Sequence, residues 1–573
     1  MAFAQPAQIN ISQDLVSLGI ASQNAVPFNG NLDTRPLLQA AVQYASSNGV
    51  SRVTADPGAY FFLTSQKNDR YLILNQVSDL TIDLQGADIY LKNNYMIGFD
   101  LENCQRVTLA NFNIDYLTLP YTQVQVTAVN NRAISYSTLP GWPSPTTLRS
   151  RFGGTEYWGI AFRNGVIPAN TNRLPLATPA NSNTLIVNTQ NSPWTQPAVL
   201  TTYQAGDVMV VTLKDGDAPV LVEDGDGVVL TGIDIYAAGT LGIHMNGARN
   251  STIAKCRIMP RPGTDRLIST NADGLHLSFV QSGNLIQSNY ITRTMDDGIA
   301  VSSAFVAFVD RSPSSSSVVA TRNFNTRIPN GTPLAFINPV SGQLLGSATL
   351  VGQNPAYDAA PPTTPLATYY FDNDLPGLQT GFGIVFAANY NRGSGTVIEK
   401  NIVEDILFAR GIFLGGVSGV TVQKNTVRRT NCGGIVLHQD LSAYPSAANQ
   451  DVVVDSNTVD SAIGPTAVGT GAIAALGSIF VLTTDSSFIP LTTPTATNIT
   501  ITNNYITNSG RTGIWAGNID GGTIQGNTFG VYNLYPQLAL WGVTNAFANQ
   551  LTQDFIQALV VRASRNVSAQ KAP

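Results

Sequence analysis

Asp273 precedes a glycine in Asn271-Ala272-Asp273-Gly274-Leu275-His276, and Asp297 precedes another in Met295-Asp296-Asp297-Gly298-Ile299-Ala300. The two Asp-Gly pairs lie 24 residues apart, with Asp296 beside the second. If 24 residues make one turn of a repeating coil, Asp273 and Asp297 stack on adjacent turns. Three carboxylates then crowd one spot in a chain whose charged residues are only 12% of the total. Like charges this close cannot all ionise, so at least one carboxyl pKa should rise. A protonated acid beside an ionised base is what acid–base cleavage of a glycosidic bond requires. Asp-Gly is also a common turn pair, and carboxylates with Asn at turns suit Ca²⁺ as well. Two stacked pairs with a third Asp and histidines nearby favour catalysis, and Asp273, Asp296 and Asp297 are the candidate catalytic group.

The same column continues through Arg410, just before Gly411, which offers a positive charge on that face or pairs with Glu404 or Asp405. Two positions after the aligned glycines come His244, His276, Phe413 and Trp515. The histidines read as substrate-binding groups or as ordinary hydrogen-bonded filling. The aromatic residues read as platforms for sugar rings or as plain surface. His438 follows in LHQD with Asp440. One geometric condition attaches to all of this. Strict strand alternation puts the Asp before each Gly on the side of the inward residue after it, so the chain must bend at the Gly and turn the Asp outward.

The element that positions these residues is a repeat, the first thing to seek in a long chain. NLIQSNYITRTMDDGIAV (Asn284 to Val301), GVTVQKNTVRRTNCGGIVL (Gly419 to Leu437) and NITITNNYITNSGRTGIWA (Asn498 to Ala516) share one pattern. Each has a β-branched run, an Asn, a second run, then Gly-Ile. The aligned Asn residues are Asn289, Asn401, Asn425, Asn457, Asn504 and Asn527; the aligned glycines are Gly242, Gly274, Gly298, Gly411, Gly434 and Gly513. One unit holds too few apolar residues for a core of its own, so units must stack. Stacked parallel strands put equivalent residues about 4.8 Å apart. The Asn column then reads as a side-chain ladder, and the Gly column as a bend needing positive φ or close backbone approach. With almost no amphipathic helical stretches to cross between strands, the expected fold is all-β, a right-handed parallel β-helix.

Two segments break the register: 116–215 with VQVTAV, RAISYS and DVMVVTL, and 305–390 with VVATRNF, TPLAFI and LGSATLV. Both are expected to be small β, barrel-like inserts. Residues 1–115 should hold a helical cap and the first coils, 216–304 the coils bearing the Asp cluster, and 391–573 the last coils and a second cap after Phe547. Asp33-Thr34-Arg35-Pro36 is expected to cap a helix through Leu37, Leu38, Ala41, Val42 and Ala45 that ends at Asn48-Gly49. Such a lid would cover an exposed strand edge. Composition agrees with a turn-rich globular chain: 43% hydrophobic residues, 50 Gly and 31 Pro in 573. A net charge of −5 gives no footprint for nucleic acid, and no Lys/Arg run or long apolar stretch points to a membrane. The three cysteines, Cys104, Cys256 and Cys432, are expected to be buried thiols. Ala2-Phe3-Ala4 before Gln5 has the form of a cleavage-site tail, which points to a secreted or periplasmic protein.

At LISTNADGLHL and MDDGIAV the chain resembles the inverting glycosidases built on parallel β-helices. Among these, the polygalacturonases share Asn-x-Asp-Gly followed by Asp-Asp, here Asn271 to Gly274 and Asp296-Asp297. Their Gly-His-Gly and Arg-Ile-Lys motifs have no counterpart, which argues against uronate substrates. The chain looks closer to the blood-group-B-type α-1,3-galactosidase family, which has a Ser-x-x-Ala-Asp-Gly-x-His stretch (Ser269 to His276), two β inserts, and an Arg-Gly-Ile coil (Arg410 to Ile412). The stretch expected after Asp440 differs here, reading LSAYPSA. The resemblance implies hydrolysis of an α-linked sugar with inversion, α-1,3-linked galactose or a related α-glycoside. It implies Asp296 as the acid that protonates the leaving oxygen, with Asp273 and Asp297 holding and deprotonating water. It further implies Arg410, His276, Asp440 and Asp115 as sugar-binding groups, with no metal or organic cofactor. Inversion calls for acid and base roughly 6.5–9.5 Å apart. Competing readings are a polygalacturonase-like or lyase-type enzyme and a non-catalytic glycan-binding β-helix. The expected partner in each case is an oligosaccharide or polysaccharide.

Overall fold

The computed structural model describes residues 7–66, 70–93, 95–152, 157–168, 171, 174–177, 183–187, 201–213, 216, 218–303, 307–321, 330–338, 344–354, 366–374, 385–388, 392–440, 447–462, 477–484, 491, 494–530, 538–541, 544–549, 560–562 and 568–570. The chain winds as a parallel β-helix. Among the described residues, 22 short strands join in a first sheet and 12 in a second, and every pairing within them is parallel. A representative coil runs Leu285–Gln287 and Tyr290–Thr292 on the first sheet, then Ile299–Ser302 on the second. Inward Val, Ile and Leu from both sheets merge into one continuous core. No single coil encloses enough apolar surface to stand alone, so the stack is the unit of stability.

The Asn column is the ladder expected. Asn289 donates to Asn401 Oδ1 (2.9 Å), Asn401 to Asn425 (2.9 Å), Asn425 to Asn457 (3.0 Å), Asn457 to Asn504 (2.9 Å) and Asn504 to Asn527 (2.8 Å). Each Oδ1 also accepts the backbone N–H of the preceding Asn, as at Asn401 (3.0 Å). Buried amides are thereby satisfied along the stack. The column begins one coil earlier at Cys256, whose N–H donates to Asn289 Oδ1 (2.9 Å).

The two possible reasons for the Gly column separate cleanly. Gly274, Gly298 and Gly411 have no positive φ; the left-handed residues lie just before the ladder Asn, at Ser288 (56°), Lys400 (55°) and Lys424 (56°). What the glycines supply is space. A Cβ at Gly298 would lie 2.3 Å from Val403 Cγ1 and 2.7 Å from Gly411 O; one at Gly274 would lie 2.5 Å from Ile291 Cγ2 and 2.7 Å from Gly298 O.

The helix Arg35–Asn48 closes the N-terminal end, with Leu37, Leu38, Ala41, Val42 and Ala45 in the core and Gly49 left-handed at its C-terminus (φ 69°). Its start differs from expectation: Asp33 Oδ1 accepts the Arg35 N–H (3.3 Å), while Thr34 Oγ1 bonds the backbone of Phe61 instead of capping. The first insert is a six-stranded antiparallel sheet with a helix, Pro145–Phe152, that the sequence did not announce. The second is a closed six-stranded barrel. Beyond Phe547 the described residues Val560–Arg562 and Ser568–Gln570 pair in parallel with strands of the two sheets. Cys104 and Cys256 are buried, but Cys432 is only half-buried, because it sits in a corner outside the core. Among the described residues no helix is long and apolar enough to cross a membrane.

Candidate active site

Along the second sheet, residues alternate between core and exterior. Leu275, Leu277, Ile299 and Val301 enter the core, whereas His276 and Ala300 face out. The exterior column runs His244, His276, Ala300, Phe413 in register, then Val436, Phe480 and Trp515. Asp273 and Asp297 sit at the corner where each coil passes from the first sheet to the second. There the backbone bends, and the simple alternation that would have turned them inward no longer applies. Gly274 N–H donates to Asp297 O and Gly298 N–H to Arg410 O (both 2.9 Å), so the corner backbones stack in register.

The carboxylates point to exterior partners. Asp273 Oδ2 bonds His276 Nδ1 (2.5 Å), and its Oδ1 accepts the Asp297 N–H (3.1 Å). Asp297 Oδ1 accepts the Arg410 backbone N–H (2.9 Å) and Nε–H (2.7 Å), and Oδ2 accepts Nη2–H (2.7 Å). Asp273 and Asp297 are buried and Asp296 is partly exposed. One oxygen from each of the three lies within 4.8 Å of the others. That is closer than the gap expected for inversion.

Burial pushes the Asp297 carboxyl up, to about 7, with Asp273 and Asp296 adding to the shift while the Arg410 guanidinium opposes it. Desolvation pulls the guanidinium's own pKa down, but the charge and hydrogen bonds of Asp297, with the charges of Asp296 and Asp273, outweigh it and raise it. Both directions fit one picture, in which Arg410 stays charged and the trio holds a proton that belongs to the group as a whole. Desolvation pulls the His276 imidazolium down, but the hydrogen bond and charge of Asp273 outweigh it and raise its pKa. Chemically, the corner offers a proton to give and a carboxylate to receive one, a few ångströms apart. The same three oxygens could also hold a cation, but it would face the Arg410 guanidinium.

The other site candidates are distributed. His244 is one coil from His276, ring edge to ring face (5.5 Å between centroids), and its Nε2 bonds Ser278 Oγ (2.8 Å). Phe413 is covered by the Arg410 guanidinium (3.9 Å to the ring centre) and is 7% exposed, which removes it as a sugar platform. Trp515 is four register steps beyond Ala300, roughly 19 Å along the stack. It is not brought to the trio. Asp115 is on the first sheet, buried, and held by Arg261 (3.0 Å) and Arg266 (2.8 and 3.1 Å). Its carboxylate is engaged in anchoring the corner loop. Asp440 ends the strand Ile435–Asp440, and its side chain lies outside the described residues.

Two contributions escaped sequence reading. Ser278 and Asn246 extend the His244 contact, with Ser278 Oγ donating to Asn246 Oδ1 (3.3 Å); their position two residues after each His was the available signal. Asn271, buried beside Asp273, donates to Pro120 O (3.1 Å) and Leu213 O (2.8 Å), the two ends of the first insert. Nothing local to Asn271 in the sequence could announce partners more than 50 residues away.

No family model matches the chain. Curated proteins named alpha-1,3-galactosidase A are distant relatives. The one from Bacteroides thetaiotaomicron is 25% identical over 245 residues, 40% of this chain and 41% of the relative. That from Bacteroides fragilis is 21% identical over 411 residues, 68% of this chain and 64% of the relative. Shewanella woodyi has another, 24% identical over 302 residues, 48% of this chain and 49% of the relative. The chain thus spans less than two thirds of the relatives it matches. Among solved structures, the lidless DFA-IIIase of Arthrobacter chlorophenolicus A6 is 11% identical, with 99% of each chain covered and a TM-score of 0.47. A tailspike protein of E. coli bacteriophage HK620, in complex with a pentasaccharide, is 9% identical, with 98% of this chain and 78% of that one covered and a TM-score of 0.43.

Proposed function

We propose that the chain is a glycoside hydrolase that cleaves an α-linked sugar, α-1,3-linked galactose or a related α-glycoside, by aspartate acid–base catalysis. The observation that carries this is the outward corner trio, three carboxylates with oxygens within 4.8 Å, two of them already held by His276 and Arg410. The distant relatives named alpha-1,3-galactosidase A support the sugar and linkage. In this mechanism Asp296, the partly exposed member, gives its proton to the leaving glycosidic oxygen as the C1–O bond breaks. A water held by Asp273 and Asp297 attacks C1 and passes its proton to the trio, which ends with the proton count it began with. Attack opposite the leaving group inverts the anomeric centre. The substrate is an oligosaccharide or polysaccharide, and a secreted or periplasmic location belongs to the same proposal.

A second reading, retention through a carboxylate nucleophile, is favoured by the close spacing of the oxygens. Against it stands the engagement of Asp297 by three N–H donors and of Asp273 by His276 and an amide, which holds both carboxylates to protein partners at the corner and keeps their remaining lone pairs for a bound water. Proton NMR of the first-formed product from an α-galactoside decides: the β-anomer supports inversion and the α-anomer overturns it. A screen of α- and β-linked aryl glycosides and α-1,3-linked glycans tests the substrate. Asp296→Asn should lower kcat by about 10²–10⁴ on the cleaved glycoside; a variant with full activity removes Asp296 as the acid.

A further inference from the structure

Phe413 has no part in the mechanism above, yet its ring centre lies 3.9 Å from the Arg410 guanidinium carbon. The other arginines set over rings among the described residues stand at 5.1, 5.4 and 6.0 Å. The ring is held in place from several sides. It stands in register between Ala300 and Val436 on the neighbouring coils. With Phe480 and Leu482 these residues form an apolar cluster outside the main core. The ring also reaches over Gly415, two residues on, where a Cβ would come 3.1 Å from both Cε1 and Cζ. Arg410 is fixed from the opposite direction by Asp297. Its backbone N–H and Nε–H donate to Oδ1 (2.9 and 2.7 Å), and its Nη2–H donates to Oδ2 (2.7 Å). The corner column that runs Asp273, Asp297, Arg410 passes next to Gly433, which has no side chain to offer the guanidinium. One edge of Arg410 is thus committed to a carboxylate and one face to an aromatic ring.

We propose that Phe413 is a positioning residue for the reaction, acting through Arg410: the ring seats the guanidinium so that Asp297 is held in the orientation that binds the attacking water. This rests on the hydrolase reading above and adds to it a residue that touches neither sugar nor water. An aliphatic side chain of similar bulk would fill the same apolar cluster. It would present no electron-rich face to the cation, and that face is what attracts a guanidinium to a ring. Without it Arg410 keeps its two side-chain bonds to Asp297 but loses the wall that restricts its swing. The electrostatic consequence has a definite sign. Asp273 and Asp296 crowd Asp297 and oppose its ionisation, whereas Arg410 favours it. His276 is bonded to Asp273 rather than to Asp297. A looser guanidinium therefore raises the pH at which Asp297 ionises.

The test reads kcat, KM and the pH–rate profile on the cleaved glycoside for the wild type, Phe413→Leu, Phe413→Tyr and Gly415→Ala. Phe413→Leu keeps the apolar bulk and removes the ring face. It should lower kcat about tenfold and leave KM nearly unchanged. It should also move the acid limb of the profile up by roughly half a pH unit or more. Phe413→Tyr keeps the face and should restore both readouts. Gly415→Ala leaves ring and guanidinium chemically intact, but its Cβ pushes the ring aside and should move the acid limb the same way, by less. An acid limb that stays put in Phe413→Leu overturns the proposal, as does a Phe413→Tyr variant no better than Phe413→Leu. Where Phe413→Leu does not fold, an unmoved limb in Gly415→Ala overturns it. A wild type that cleaves no glycoside sinks the hydrolase reading instead. Carbon NMR of protein labelled at its aspartate carboxyl carbons, with Asp297→Asn to assign the signal, then decides whether the ring seats the guanidinium. Asp297 should ionise at higher pH in Phe413→Leu, and an unchanged titration overturns the seating.

Discussion

Asp297 accepts three N–H groups from a single residue and still lies between two other carboxylates. Its raised pKa, about 7, has a sign that can be followed through. A carboxyl whose folded pKa exceeds its unfolded value, about 3.9, binds a proton on folding. Its contribution to stability is therefore present at low pH and lost as pH rises through about 7. The raised His276 acts in the same sense, its contribution being complete below the unfolded histidine value and fading above it. On the hydrolase reading Asp297 must be ionised to help take the proton from water, so kcat should rise toward a plateau as pH passes about 7. A pH–rate profile flat from pH 6 to 9 would contradict this. Asn271 makes a separate prediction. Its amide ties both ends of the first insert to the corner bearing Asp273, and Asn271→Ala removes a donor from each of those carbonyls at a cost of about 1–3 kcal/mol. Urea unfolding measures that loss, and an unchanged midpoint would contradict the tie. At this scale the sequence showed the trio, because Asp-Gly recurred at one coil's length. It did not show that Arg261 and Arg266 hold Asp115, because those partners come from more than 140 positions along the chain, and it left Phe413 and Trp515 open between sugar platform and plain surface.

The ladder and the Gly column are elements rather than residues, since each works only as a stack. Both were legible because a coil of 23 or 24 residues returns the same residue to the same place. Their physical reasons were only partly legible. The close packing of Gly298 against Val403 and the Gly411 carbonyl predicts that Gly298→Ala costs more than an ordinary Gly→Ala change, about 2 kcal/mol or more, because the backbone contact cannot yield. Val403→Ala in the same chain would relieve the side-chain clash but not the carbonyl contact, so thermal unfolding should recover only in part. Asn425→Ala would take the acceptor from the Asn401 backbone N–H and from one of its two Nδ2 hydrogens, and should lower stability by about 2–4 kcal/mol. A loss below 1 kcal/mol in urea unfolding would mean that water or a neighbour replaces the rung.

Over the whole molecule, stability passes from coil to coil, and the exposed end of such a stack is its weak point. The helix Arg35–Asn48 covers that end with five apolar side chains in the core. Leu38→Asp should uncover it, and light scattering should then report more association than for the wild type. The cap was readable from its Pro start and Gly stop, whereas the helix inside the first insert carried no comparable periodic face. The barrel insert has a consequence of another kind. It separates Asp297 from Arg410 by 113 positions of chain. At synthesis rates of 5–20 residues per second the arginine is made roughly 6 to 23 s after its aspartate. During that interval a growing chain carries crowded carboxylates with no guanidinium to receive them. The corner is therefore assembled late, after the barrel has passed, and a nascent chain stalled within the barrel would hold a nearly complete stack of early coils around an unfinished site.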